Sequence, residues 1–310
     1  IANNGGGILN SAKKIDEISE DELYRISLER LNRSILTGTG AIEIKSGYGL
    51  NLDSELKILR VIKKLKENSP ISIKSTFLGA HAVPLEYKNN KAEYLDLIIN
   101  EMLPIIKSEN LADYIDIFCE KGYFDTNDTI KILKAGQKHG LIGKTHVNQF
   151  NSLGGIKASI ENGCLSVDHL EIMKEDDFLA FKESNCIATL LPSCSFFLGI
   201  PYSPAKEFIK RKIPINLASD YNPGSSPSSN MNFVASLGSI KLKLNANQVI
   251  NATTINGAYA MGLEKQVGTI SIGKKANFFI TKSIPTYQYL HYSFGENLIK
   301  KVFLEGKEVK

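Results

Sequence analysis

Four side chains define the chemistry open to this sequence: His81, His146, His169 and Asp220. Each follows an apolar or alternating run, STFLGA before His81, IGKT before His146, LSVD before His169 and INLAS before Asp220. Such runs read as buried strands, and the Gly, Pro, Asn and Ser residues after them as loops. Taken singly, a histidine at a strand end is more often a satisfied core or loop residue, and a loop-entry aspartate a turn or cap. Four on one rim of one sheet are harder to dismiss, because that rim is where an α/β barrel presents reactive groups. Imidazole nitrogen and carboxylate oxygen suit zinc or non-haem iron, at about 2.0–2.2 Å. A catalytic ion needs three or so protein ligands and an open position for water, so His146 and Asp220 alone are too few. An H-x-H pair on a further strand would complete the set, since residues two apart on a strand point the same way. His139, at a predicted helix end, and His291, near the C-terminus, read as structural.

The elements that must position these groups repeat one grammar. Strands starting near residues 41, 71, 113, 141, 165, 187 and 215 alternate with helices predicted over 11–36, 52–68, 94–107, 126–139, 154–162, 175–183 and 205–212. Alternation of this kind implies parallel strands with helical crossovers. Polar signals follow many different strands, as on the C-terminal face of a (β/α)8 TIM-type barrel, whereas an open sheet would concentrate them at one switch point. Seven units are visible, and the first predicted helix lacks a strand before it; the expectation is that the first strand lies upstream of Ile1. That residue is not an initiator Met and runs at once into Asn3-Asn4-Gly5-Gly6-Gly7, which reads as a flexible connection inside a longer protein. Two helical stretches, 230–242 and 246–261, then give way to short β runs at 268–273, 276–281 and 298–304. The expected division is a barrel over 1–263 and part of a small β-domain over 264–310.

Composition narrows the function classes. With 310 residues and 43% hydrophobic content the chain can bury a large core. Its 37 Lys plus Arg exceed 33 Asp plus Glu by four, but the lysines are scattered along predicted helices and only five arginines occur, so no phosphate track or nucleic-acid surface is read. Cys119, Cys164, Cys186 and Cys194 are far apart with no C-x-x-C, which suits reduced, packed thiols in a cytoplasmic protein. No apolar stretch approaches the roughly 20 residues of a membrane span, and no signal-peptide pattern is present.

Six segments carry a family resemblance: IEIKSGYGL (42–50), STFLGAHAVP (75–84), KTHVNQ (144–149), VDHLE (167–171), LLPSCSFFLG (190–199) and LASDYNPGSSP (217–227). With them the chain resembles the amidohydrolases, and within these the imidazolonepropionase family of histidine degradation. GTISIGKKANFFI (268–280) looks like the superfamily's C-terminal strand signature, with Asn277 where Asp is usual. The resemblance implies one zinc or iron ion per full-length subunit and hydrolytic opening of 4-imidazolone-5-propanoate to N-formimidoyl-L-glutamate. His146 and Asp220 match metal ligands, and Asp220 also matches the proton carrier. His169 matches the histidine beside the metal; Tyr48, His81, Gln149, Asn222, Gly224 and Ser225 match substrate-binding positions. Because members are commonly dimers, a homodimer is expected, with a small-molecule substrate and neither nucleic acid nor membrane as partner.

Departures from the family pattern are equally definite. The H-x-H pair and the arginine for the substrate's propionate are not in the sequence, and Val147-Asn148 stands where Ala-Asp is frequent. The polypeptide as written is therefore expected to fall short of a full metal site. The alternative readings are another metal-dependent amidohydrolase or deaminase, or a non-catalytic barrel scaffold.

Overall fold

A computed structural model describes residues 7–309, so the Asn3 to Gly6 part of the glycine-rich opening lies outside the described residues. Seven strands, β1 (Ala41–Lys45), β2 (Ser72–Ala80), β3 (Tyr114–Cys119), β4 (Ile142–Val147), β5 (Ser166–His169), β6 (Ile187–Leu190) and β7 (Ile215–Leu217), form one sheet in sequential order. Every neighbouring pair is parallel. Each strand begins within a residue of its expected start. The sheet is curled: Lys45 Nζ on β1 lies 2.8 Å from Asp168 Oδ2 on β5. In a flat sheet strands four places apart would be separated by about 19 Å.

Curling sorts the side chains. Strand alternation sends Glu43, Lys45, Asp116, Lys144, His146 and Asp168 to the concave face, where they meet one another. The alternate residues, among them Ile73, Ile115, Ile117, Val147 and Val167, join one core with Leu59, Ile62, Ile132 and Leu133 of the flanking helices. Burying such a side chain contributes about 1.5–3 kcal/mol, so the apolar convex face carries the stability that lets the concave face stay polar.

Several elements differ from expectation. The helix predicted over 11–36 is two helices, Ile8–Glu17 and Glu20–Leu36, because Ser19 adopts an extended conformation and accepts a capping bond from Glu22 N. The helical stretch predicted over 94–107 begins at Lys91 and widens to a π turn over Ile98–Met102 before continuing to Glu109. The helix predicted over 126–139 is Thr126–Lys138, capped by Asp125 in a reciprocal capping box with Asp128. The segment 246–261 is split at Thr254. Pro192–Leu198 is helical, started by its proline and stopped by Gly199 in the left-handed region.

Residues 268–273 do not form a strand: the alternating pattern leaves Ile270 and Ile272 fully exposed in a turn-rich segment. The C-terminal strands are β8 (Phe278–Thr281), β9 (Ile299–Leu304) and β10 (Lys307–Glu308), antiparallel in the order β10-β9-β8. Val302 and Leu304 join the main core, and Asn277 Nδ2 donates to Gly40 O just before β1. No helix among the described residues is long and apolar enough to cross a membrane.

The helix Thr126–Lys138 approaches β3 through Gly136, where a Cβ would lie 2.4 Å from Ile115 Cγ2. Gly136→Ala gains about 1 kcal/mol of helix propensity but overpacks the contact at a cost of about 1–3 kcal/mol. A net loss of about 1 kcal/mol is expected as a lower urea midpoint; an unchanged or higher midpoint would show that the contact yields.

Candidate active site

The concave face is organised by charge. Lys45 Nζ lies 2.7 Å from Asp116 Oδ2 and 2.8 Å from Asp168 Oδ2, with Glu43 Oε1 at 3.4 Å. Lys144 pairs with Glu43, and Thr76 Oγ1 donates to Glu43 at 2.5 Å. Burial would pull the Lys45 ammonium down, but Asp116, Asp168 and Glu43 outweigh it and hold its pKa well above the usual lysine range. Burial likewise pushes all three carboxyls up, yet His146 and Lys45 hold Asp116, Lys45 and His146 hold Asp168, and Lys144 and Lys45 hold Glu43 below the ordinary range. Asp116, His146 and Asp168 offer donors within 4.8 Å of one another, as a metal group would. The Lys45 ammonium already sits between the two carboxylates, so this trio is an ion-pair network rather than a cation site.

That network orients His146. Its Nδ1 meets Asp116 at 3.0 and 3.1 Å, and Nε2 makes no hydrogen bond among the described residues. An imidazole that donates Nδ1–H to a carboxylate presents a fixed, electron-rich Nε2, the arrangement a metal-ligating histidine requires. Neither His146 nor His169 lies beyond its strand as expected: His146 is inside β4 and His169 is the last residue of β5.

His146 is flanked by both other candidate histidines. Ring centroids are 6.1 Å from His81 and 5.3 Å from His169, and Tyr48 stands edge-on to His81 at 5.2 Å. His81 Nδ1 donates to Gly47 O at 2.9 Å, leaving Nε2 as an acceptor, and burial followed by the neighbouring His146 pulls its pKa down to about 4. His169 is the opposite case. Burial works against its charge, but Glu171 chiefly, with Cys194 and Asp220, holds it well above the usual imidazole range. Burial and the Asp220 charge keep the Tyr48 phenol protonated. Gln149 is buried, with Nε2 3.4 Å from Cys194 Sγ.

Asp220 enters from a loop that the sequence describes well. Asn222 Oδ1 accepts from Gly224 N and Ser225 N at 2.9 and 2.8 Å, an Asx-type turn, while Asn222 Nδ2 donates to Asp220 O at 2.6 Å. Ser225 Oγ donates to Asp220 Oδ2 at 3.1 Å, and Oδ1 has no hydrogen bond among the described residues. The loop residues thus bind each other and the aspartate. No hydrogen bond joins Asp220 to His146 among the described residues.

Backbone strain places several of these groups. Leu50, Asn148, His169, Leu170 and Asp220 all have positive φ, between 50° and 87°. Alternation after the inward Asp168 would send His169 to the convex face; left-handed backbone at His169 and Leu170 instead sets its ring beside His146. Glu55 holds the Tyr48 loop: its carboxylate accepts from Gly47, Gly49 and Leu50 N at 2.6–3.1 Å. A Cβ on Gly47, at φ 101°, would lie 2.8 Å from Leu78 O. Sequence reasoning missed Lys45, Glu55, Asp116, Asp168, Glu171 and Cys194. The available signal was charge inside strand patterns, as in AIEIK and DYIDIFC.

A surface cleft lined by Ser72, Lys74, Lys275 and Glu305 opens at the N-terminal end of β2, away from the histidines, and takes no part in this arrangement. Removing the central cation tests the network. Lys45→Met leaves Asp116 and Asp168 as buried carboxylates without their counter-ion, and stability should fall by about 3–5 kcal/mol in chemical denaturation. A loss below about 1 kcal/mol, the level of an exposed pair, would show that solvent rather than Lys45 compensates them.

The amidohydrolase family model matches residues 124–309. Imidazolonepropionase of Flavobacterium johnsoniae is 58% identical over 307 residues, 99% of this chain and 75% of the relative. Those of Christiangramia forsetii and Alkaliphilus oremlandii are 56% and 40% identical, over 99% and 100% of this chain and 75% and 73% of theirs. Among solved structures, guanine deaminase of E. coli superposes with TM-score 0.76 at 13% identity, covering 97% of this chain and 77% of its own. A zinc-bound adenosine deaminase from Xanthomonas campestris superposes with TM-score 0.72 at 13% identity, covering 95% and 71%. At such identities the structures speak for the barrel fold alone, whereas the sequence relatives span every motif around His81, His146, His169 and Asp220. The chain belongs to the imidazolonepropionase family of amidohydrolases.

Proposed function

We propose that this protein hydrolyses the cyclic amide 4-imidazolone-5-propanoate to N-formimidoyl-L-glutamate in histidine degradation. The observation that carries this reading is 58% identity to an imidazolonepropionase over 99% of the chain. The donor chemistry fits a divalent cation, because His146 has its Nδ1 engaged by Asp116 with Nε2 free, and Asp220 keeps one carboxylate oxygen unbonded. His146 and Asp220 would supply two of the protein ligands to one such ion per full-length subunit, zinc or iron, which would supply Lewis-acid polarisation and a water acidic enough to attack near pH 7.

In this reading the chain's own residues do the remaining work. Asp220 accepts a proton from the attacking water and delivers it to the ring nitrogen. The water oxygen bonds to the carbonyl carbon, the C–N bond breaks, and the new carboxylic acid releases the second proton. His169, kept protonated by Glu171 and Asp220, donates to the carbonyl oxygen as negative charge develops there. His81 stays neutral near pH 7 and offers Nε2 as an acceptor, and Tyr48 offers a phenolic donor. Gln149 presents both a donor and an acceptor to the amidine-like ring edge. Asn222, Gly224 and Ser225 hold the ring and the product beside Asp220.

Residues 1–263 would carry this chemistry as the barrel, with 264–310 as the small appended β-domain. The four buried free thiols suit a reducing cytoplasm, and we infer a homodimer acting on a small molecule.

Asp220→Asn keeps the shape and removes the proton acceptor. The expected result is a fall in kcat of about 10²–10⁴-fold with an unchanged thermal midpoint, measured by loss of imidazolone absorbance. Both measurements use the full-length protein: a kcat within tenfold of wild type would remove Asp220 from the proton path, and absence of turnover by full-length wild type with either zinc or iron would overturn the substrate assignment.

A further inference from the structure

On the Nδ1 side of His169 lies a second group of donors. A ring nitrogen of His169, a carboxylate oxygen of Glu171 and Cys194 Sγ all lie within 4.8 Å of one another. The three residues are 4%, 5% and 0% exposed. His169 Nδ1 and Glu171 Oε2 have no hydrogen-bond partner among the described residues. The Nδ1–Oε1 separation is 3.6 Å, an ionic contact beyond hydrogen-bond length. Ser195 Oγ donates to Glu171 Oε1 at 3.1 Å and Gln149 Nε2 to Cys194 Sγ at 3.4 Å, so neighbouring side chains support two of the three donors from outside. Buried polar atoms without partners are costly and call for an explanation.

We propose that His169 Nδ1, Glu171 and Cys194 form a second, inhibitory site for a thiophilic divalent cation such as zinc or cadmium. One nitrogen, one oxygen and one sulfur suit zinc, whereas calcium and magnesium take oxygen sets. Binding replaces the Cys194 S–H and His169 Nδ1–H bonds with metal–sulfur and metal–nitrogen bonds and releases both protons to solvent. With one thiolate and one carboxylate, the dication is neutralised. The cation takes the side of His169 that faces Glu171 and ties ring, carboxylate and thiolate together, so the imidazole that should donate from Nε2–H to the substrate carbonyl is held in the cation's geometry instead of Glu171's. Excess metal would then switch the enzyme off without displacing the catalytic ion.

The ordinary alternative is that Glu171 only orients His169 and Cys194 only packs; that arrangement predicts no metal–thiolate bond. Titrating the wild-type protein with Cd²⁺ and following the ultraviolet thiolate-to-cadmium charge-transfer band separates the two. One band equivalent per chain is expected in wild type and in Cys164→Ser, and none in Cys194→Ser. Glu171→Gln should weaken Cd²⁺ binding by more than about tenfold, the low end of what even an outer-shell partner of a metal is worth. No band in folded wild-type protein, or a band that survives in Cys194→Ser, overturns the site. Inhibition by zinc beyond one equivalent, relieved in Cys194→Ser, tests its consequence. That second arm rests on the His169 role proposed above, while cadmium binding is read without turnover, so the two can fail separately.

Discussion

A lysine ammonium sits between two aspartates on the concave face of the sheet, and most of the site's geometry follows from that contact. Lys45 on β1 reaches Asp116 on β3 and Asp168 on β5, which pins three strands of a curled sheet at one point. Asp116, kept ionised by His146 and Lys45 together, in turn holds His146 Nδ1. Buried ion networks of this kind are weak sources of net stability, since desolvation consumes most of the Coulombic gain. Here the network serves orientation: it determines which nitrogen of His146 is free, while the apolar convex face supplies the stability.

Around that centre the rim is built by bending the backbone rather than by regular strand geometry. His169, Leu170 and Asp220 occupy left-handed conformations that branched and long side chains adopt at a cost. The result is an alternation of environments along a short arc. His81 is neutral because it is buried beside another imidazole, and His169 is charged because carboxylates face it. Two histidines of identical intrinsic chemistry thereby acquire acceptor and donor characters, the kind of separation acid–base catalysis uses. The Tyr48 loop is held by a further buried acid, Glu55, whose carboxylate gathers three backbone N–H groups.

The fold was largely legible in the chain because both its signals are local. A period of two marks a strand with one buried face, and Asn51, Asp125 and Asn245 cap helices through bonds no more than three residues long. Failures came where local pattern and context disagree. Residues 268–273 alternate like a strand but find no partner strand among the described residues, and an alternating segment without a ladder remains a turn. The break at Ser19 and the π turn at 98–102 likewise depend on packing that periodicity does not encode.

For the site, the sequence alone named residues with suitable chemistry at or near the ends of different strands: His81, His146, His169, Asp220 and the Asn222 turn are all read from type and position. Tertiary structure decided what each can do. Lys45, Asp116 and Asp168 are separated by 71 and 52 residues along the chain and meet only because the sheet curls. Glu171 and Cys194 face His169 only through the backbone turn after β5 and the helix at 192–198. Protonation state and free lone pairs are properties of neighbours in space, and burial multiplies the effect of each neighbouring charge. A sequence lists the groups, but the electric field in which they act exists only once the sheet has closed around them.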